Sequence, residues 1–236
     1  MKVNPDPRLV VIGIQGAMGS GKSTIRKFLQ ERYGARWVPM SGALKRALVA
    51  MGADEADIYD PARKELENPL FCGKTNRYAL QTIGTEWGRE LMGPDIWVNC
   101  AKKEVLDQLS DPDETYHPNG PDEPGVVIVV FDDIRFPNEY QMVRDFGGVI
   151  WTVRRSEVEY SLATQEVLRT DWKNGIDVTA TAFSYPVHES ERWWAVAPAD
   201  RMFYNGEGMD IPGLQARVAD EMTKVLQQHG EKHRPS

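Results

Sequence analysis

The stretch Gly16 to Ser23, GAMGSGKS, carries the spacing G-x-x-x-x-G-K-[ST] at Gly16, Gly21, Lys22 and Ser23. A glycine-rich turn that opens a helix aims successive backbone N–H groups at one point, and the helix dipole adds positive potential there. The inner phosphates of a triphosphate suit such a cradle. Gly16, Gly19, Ser20, Gly21, Lys22, Ser23 and Thr24 are therefore the candidate phosphate-binding residues. Lys22 would reach the β and γ oxygens, and the Ser23 hydroxyl would be a Mg²⁺ ligand.

A site of this kind also needs an acidic residue at the end of a neighbouring strand to organise the Mg²⁺ shell. Asp132 and Asp133 directly follow the apolar run VVIVVF, residues 126–131. Both are candidate metal residues. One carboxylate would face the metal while the other turns away, with Asp133 favoured for the metal; capping of the turn into the next helix is the competing role.

These residues require a strand–loop–helix frame. Leu9 to Ile14 is a β-branched run ending in the glycine-rich turn, and Ser23 to Tyr33 reads as a helix with Ile25, Phe28 and Leu29 on one face. Arg36 to Met40 reads as a short strand and Gly42 to Met51 as a helix. The polar segment 52–73, with Pro61 and Pro69, is expected to hold a mobile substrate-side element. Arg77 to Leu91 is a helical candidate interrupted at Gly84 and Gly88, and Ile96 to Leu109 is a cleaner amphipathic helix. The proline-rich, acidic stretch 110–125 reads as a flexible loop. The run at 126–131 has the pattern of a strand buried on both faces; PNEYQMVRDFGG then reads as a helix closed by Gly147 and Gly148, and VIWTVRR as the next strand. Strands alternating with helices predict a three-layer α/β fold around a central parallel sheet.

At 236 residues the chain has the length of one α/β domain with insertions. The expected organisation is a single domain over 1–236, with a substrate-side helical region at about 42–109. The formal charge of −7 argues against a polymeric nucleic-acid partner, because no general attraction to phosphate backbones is built into the surface. Cys72 and Cys100 lack metal-ligand spacing and are expected to be ordinary packed thiols in a reduced compartment. No apolar run approaches the roughly 18 residues a membrane span needs. The expectation is a soluble, cytoplasmic protein without a membrane partner; a homodimer is left open.

DDIRFPNE, Asp132 to Glu139, and LQTIGTEWGRELMGPDIWVN, Leu80 to Asn99, resemble motifs of the phage-type deoxynucleoside monophosphate kinases. VRR at 153–155, HESE at 188–191, the Asn205–Gly206 pair and LQARV at 214–218 continue the similarity, which covers roughly residues 9–225. The resemblance implies a nucleoside-monophosphate-kinase-like P-loop fold. It also implies transfer of the γ-phosphate of ATP to the 5′-phosphate of a deoxynucleoside monophosphate, with Mg²⁺ as cofactor, in support of phage DNA synthesis in the host cytoplasm.

Such a reaction brings two anions together, and arginine forks onto phosphate oxygens while staying charged. Arg135 is the expected acceptor-side clamp and Arg89 a second contact, with Arg77, Arg154 and Arg155 as further arginines; surface salt bridges are the competing role. Gln81, Thr85, Glu86, Trp87 and Trp97 supply amide, hydroxyl, carboxylate and aromatic groups suited to a base. Core packing competes for both tryptophans. Lys45 and Arg46 would border the acceptor or serve as solvated helix charges. His188 and Glu191 match the family pattern without an assigned role. The segment from Tyr160 to Val187, within a lid insertion at about 156–187, is longer and less charged than a simple arginine-bearing lid. Other P-loop kinase acceptors, dephospho-coenzyme A or a hydroxymethylated base in DNA, and a nucleotide-dependent switch remain as alternatives.

Overall fold

The computed structural model describes residues 6–17, 19–110, 115–117, 125–155 and 197–233. His188, Glu191 and the expected lid insertion lie outside the described residues, as does most of the expected loop at 110–125. The chain divides into two units. One comprises Met1–Trp37 with Asp107–Ser236, and the other Val38–Leu106.

The first unit is built on a five-stranded sheet of β1 (Leu9–Gln15), β2 (Arg36–Trp37), β5 (Val127–Phe131), β6 (Val149–Arg154) and β7 (Arg201–Tyr204). The order is β2-β5-β1-β6-β7 and every pairing is parallel. Parallel strands need helical crossovers, which bury both sheet faces; β1 and β5 are accordingly buried along their whole length. The fold is thus the expected α/β architecture with a central parallel sheet.

Alternation along β1 sorts the two faces. Val10, Ile12 and Ile14 share one core with Ile25 and Leu29 of α1 (Lys22–Tyr33) and with Leu214, Val218 and Met222 of the C-terminal helix α7 (Ile211–Lys232). On the other face α6 (Pro137–Asp145) places Val143 against the sheet. A Cβ at Gly13 would stand 2.8 Å from Ile150 and 3.2 Å from Val143, so glycine there lets the helix seat closely. Helices therefore cover both faces, giving three layers.

The second unit contains α2 (Gly42–Ala50), α3 (Glu55–Tyr59), the hairpin β3 (Glu67–Asn68) and β4 (Lys74–Thr75), α4 (Asn76–Gln81) and a π-helical segment, Thr82–Met92. The helix α5 (Ile96–Leu109) supplies Trp97 to its core, together with Leu44, Leu48, Ala53, Ile58 and Ala79. The 52–73 stretch, expected to hold a mobile substrate-side element, contains α3, one hairpin strand and a 3₁₀ turn at Pro69–Phe71. Asn68 anchors it, its buried amide donating to Asn76 Oδ1 at 2.9 Å.

Three local expectations are corrected. β2 stops at Trp37 rather than reaching Met40, because Pro39 has no N–H to continue a ladder. Cys72 is exposed rather than packed, since it occupies a left-handed turn at φ 56° that closes the 3₁₀ helix. The helix expected across Arg77–Leu91 changes to wide turns after Gln81, with Gly93 N–H reaching back to Gly88 O at 3.0 Å.

Candidate functional site

The loop after β1 turns through Gly16 at φ 145°, Gly19 at φ 77° and Gly21 at φ 109°, conformations that side chains with a Cβ resist. A Cβ on Gly16 would also run into the Val153 carbonyl. Helix α1 begins at Lys22, so the positive end of its dipole faces the end where the loop closes. Lys22 Nζ donates to Gly16 O and Ala17 O, both at 2.7 Å, folding the ammonium across the loop's entrance. Ser23 is exposed at the same helix end. Ser20 is buried, and its Oγ has no hydrogen-bond partner among the described residues.

The β1–β5 register pairs Gly13 with Phe131, which sets Asp132 and Asp133 beside the end of β1. The two carboxylates differ in surroundings. Asp132 is buried; its Oδ2 accepts from Arg26 Nε at 2.8 Å and its Oδ1 from Trp37 Nε1 at 2.7 Å. The Arg26 guanidinium lies 4.1 Å over the Trp37 ring, and it also donates to Gln30 Oε1. Both Asp132 oxygens are thus engaged by a cation and an indole. Asp133, next in the chain, is half-buried.

Among the described residues no three or more His, Cys, Asp or Glu side chains cluster as a metal site. Mg²⁺ fits this donor chemistry nonetheless, because it keeps several waters and takes one or two protein oxygens plus phosphate oxygens. Ser23 and Asp133 offer hard oxygens of that kind.

Arg135 stands on a fixed backbone. The buried Glu139 carboxylate accepts from Arg135 N–H at 2.7 Å and from Phe136 N–H at 3.2 Å, locking the DDIRFPNE turn onto the start of α6. Arg135, Ile134, Phe136 and Tyr140 line a small cleft with Gln15 and Ala197. The buried Gln15 amide donates to Thr152 Oγ1 at 2.9 Å and to Ala197 O at 3.3 Å. Lys22, Ser23, Asp132, Asp133 and Arg135 therefore belong to one unit, at the carboxyl ends of β1 and β5. Arg154 is buried at the end of β6 and Arg155 is exposed just beyond it.

The remaining sequence-derived candidates belong to the second unit. Gln81, Thr85, Glu86 and Trp87 are exposed along α4 and the π-helical segment, and Arg89 is half-buried, with Nη1 directed to Pro94 O at 3.4 Å. Arg77 is ion-paired with Glu65. Trp97 is only 7 % exposed; its Nε1 donates to Gly84 O at 2.8 Å, and its ring fills the space where a Gly88 Cβ would stand, 2.7 Å away. Trp87 is 44 % exposed, its ring centre 6.3 Å from that of Trp97. Arg46 pairs with Glu104 at 2.6 Å, and Lys45 Nζ lies 5.0 Å from the Tyr59 ring centre.

No protein-family model matches the chain. An Acanthamoeba polyphaga mimivirus protein named "Putative deoxynucleotide monophosphate kinase" is 26% identical over 156 residues, which span 62% of this chain and 75% of that protein. Among solved structures, shikimate kinase from Acinetobacter baumannii in complex with shikimate aligns over 93% of this chain and 94% of its own at 11% identity. Its TM-score is 0.38, too low to bear on function.

Several site-forming residues carry no motif. Arg26 lies one helical turn after Lys22, but its partners Asp132 and Trp37 come from separate strands. Gln15 reads as the polar end of an apolar strand. Glu139 was legible as part of the DDIRFPNE motif, though its task of holding the Arg135 backbone was not.

Proposed function

We propose that the chain is a phosphotransferase that moves the γ-phosphate of ATP to the 5′-phosphate of a deoxynucleoside monophosphate, feeding phage DNA synthesis. The observation that carries this reading is the Gly16–Ser23 loop, folded across by Lys22 at the carboxyl end of the central strand β1. The named mimivirus relative supports the same class of acceptor.

In this reading the loop N–H groups hold the donor phosphates, and Lys22 exchanges the Gly16 and Ala17 carbonyls for β and γ oxygens. Arg135 clamps the acceptor phosphate and cancels its repulsion with the donor. Ser23 and Asp133 would hold Mg²⁺, which when bound would supply further neutralisation of phosphate charge. An acceptor phosphate oxygen attacks the γ-phosphorus and ADP leaves, so no nucleophile from the protein is called for. Arg89 is the proposed second phosphate contact, and Gln81, Thr85, Glu86 and the exposed Trp87 are the proposed base-recognition groups.

Incubating the purified protein with ATP and each nucleoside monophosphate in turn tests the proposal. The expected result is stoichiometric ADP and deoxynucleoside diphosphate. Transfer only to hydroxymethyl-containing duplex DNA, or only to dephospho-coenzyme A, would replace the acceptor. ATP loss at one rate with and without every monophosphate would instead make the chain an NTPase.

A further inference from the structure

We infer that Asn205 is a positioning residue for the donor nucleotide, acting through the peptide unit between Ser20 and Gly21. The inference rests on the reading of Gly16–Ser23 as a nucleotide-binding loop. Asn205 lies just after β7, remote in sequence from the loop, yet its Nδ2 donates to Ser20 O at 2.9 Å. Its own N–H donates to Arg154 O at 2.7 Å, so the side chain is presented from the end of the sheet rather than from a loose turn.

Two glycines make the contact geometrically possible. A Cβ on Gly21 would collide with Asn205 Nδ2, and a Cβ on Gly206 would collide with Arg155 O and the Tyr204 ring. Gly21 thus has a second reason to be glycine besides its φ of 109°. Its bare Cα is the surface on which the Asn205 amide rests.

The consequence for the loop follows from peptide planarity. In a trans peptide the C=O and the next N–H point in opposite directions. Holding the Ser20 carbonyl toward Asn205 therefore turns the Gly21 N–H away from Asn205, as one of the loop's donors. Without the amide, that peptide unit is free to rotate, and a donor that must be in place before phosphate arrives loses its orientation. Asn205 touches neither phosphate nor acceptor in this account; it acts through the backbone of the loop.

ADP binding by calorimetry tests this without reference to the acceptor. Asn205→Asp puts a carboxylate against the Ser20 carbonyl, and Asn205→Ala removes the donor. Both are expected to weaken ADP binding by about tenfold or more, the scale on which outer-shell partners of ligand-holding groups act. Asn205→Ser, which keeps a hydroxyl donor and serves if the aspartate variant fails to fold, should recover part of the loss. In turnover the KM for ATP should rise while the KM for the monophosphate stays within twofold of the wild type, roughly the resolution of such a comparison. Arg144→Gln, which breaks the 2.7 Å ion pair with Asp200 near the start of β6, should lower Tm and leave ADP affinity unchanged. Wild-type ADP affinity in folded Asn205→Asp and Asn205→Ala would overturn the inference. Failure of the wild-type protein to bind ADP would overturn the nucleotide-loop reading beneath it.

Discussion

Arg26 Nε and Asp132 Oδ2 are 2.8 Å apart in a setting where the two side chains are only 12% and 9% exposed. A buried ion pair that loses one partner strands the other charge, which costs about 3–5 kcal/mol. Arg26→Ala is therefore expected to lower unfolding free energy by about 3 kcal/mol, read from urea denaturation. Trp37→Phe, which removes only the indole donor to Asp132, should cost about 1.5 kcal/mol.

The same pairing separates the two aspartates in catalysis. Asp133→Asn should reduce kcat about a hundredfold, as expected when charge stabilisation of a phosphoryl group is lost. Asp132→Asn should act mainly on stability, retaining most of the kcat of the fraction that is folded. Equal losses of kcat in the two variants would contradict this division.

Lys22→Ala removes the ammonium that bridges Gly16 O and Ala17 O. Transfer should fall by at least about a hundredfold, while circular dichroism shows the helices retained. Near-normal turnover would take the loop out of the mechanism.

The two tryptophans of the second unit should behave oppositely. Trp97→Ala vacates a core position and should cost about 3–5 kcal/mol in denaturant unfolding. Trp87→Ala, at an exposed position, should change stability by less than about 1 kcal/mol and raise the KM for the monophosphate. A Trp87 variant with an unchanged acceptor KM would remove it from base recognition.

His229 gives a pH prediction. Burial lowers its pKa from 6.5, although its Nε2–H donates to Pro7 O at 2.7 Å, an interaction that works in the raising direction. With the folded-state pKa depressed, the unfolded chain binds more protons as pH falls, so stability is present above about 6.5 and declines as pH drops through the folded value. Urea midpoints at pH 7.5 and 5.5 should therefore differ more for the wild type than for His229→Gln. An identical pH dependence in the variant would assign the decline to other groups.

Much of the first unit was legible from periodicity: continuous apolar runs marked β1 and β5, and a 3.6-residue stripe marked α1. The Gly16–Ser23 loop was legible because its glycines meet a local backbone requirement. The short strand β7 and the helix α7 were not recognised, although Leu214, Val218, Met222 and Val225 recur at helical spacing and are buried. β7 has four residues and a mixed pattern, and its place at the sheet edge comes from pairing with β6. In the second unit, Gly84 and Gly88 read as interruptions of a helix. Gly88 leaves room for the Trp97 ring and the Gly84 carbonyl accepts from its indole N–H, contacts that no local pattern encodes.

The sequence by itself determined the three-layer α/β architecture, the position of the Gly16–Ser23 loop, and the acidic pair that follows β5. These follow from interactions within a few residues or from the period of burial along one element. Tertiary structure decided that Asp132 is held by Arg26 and Trp37, that Trp97 is buried while Trp87 is exposed, and that Asn205 braces the Ser20 carbonyl. Each of these depends on which remote groups share the same few ångströms of space. Only the folding of the chain brings such groups within hydrogen-bonding or van der Waals reach.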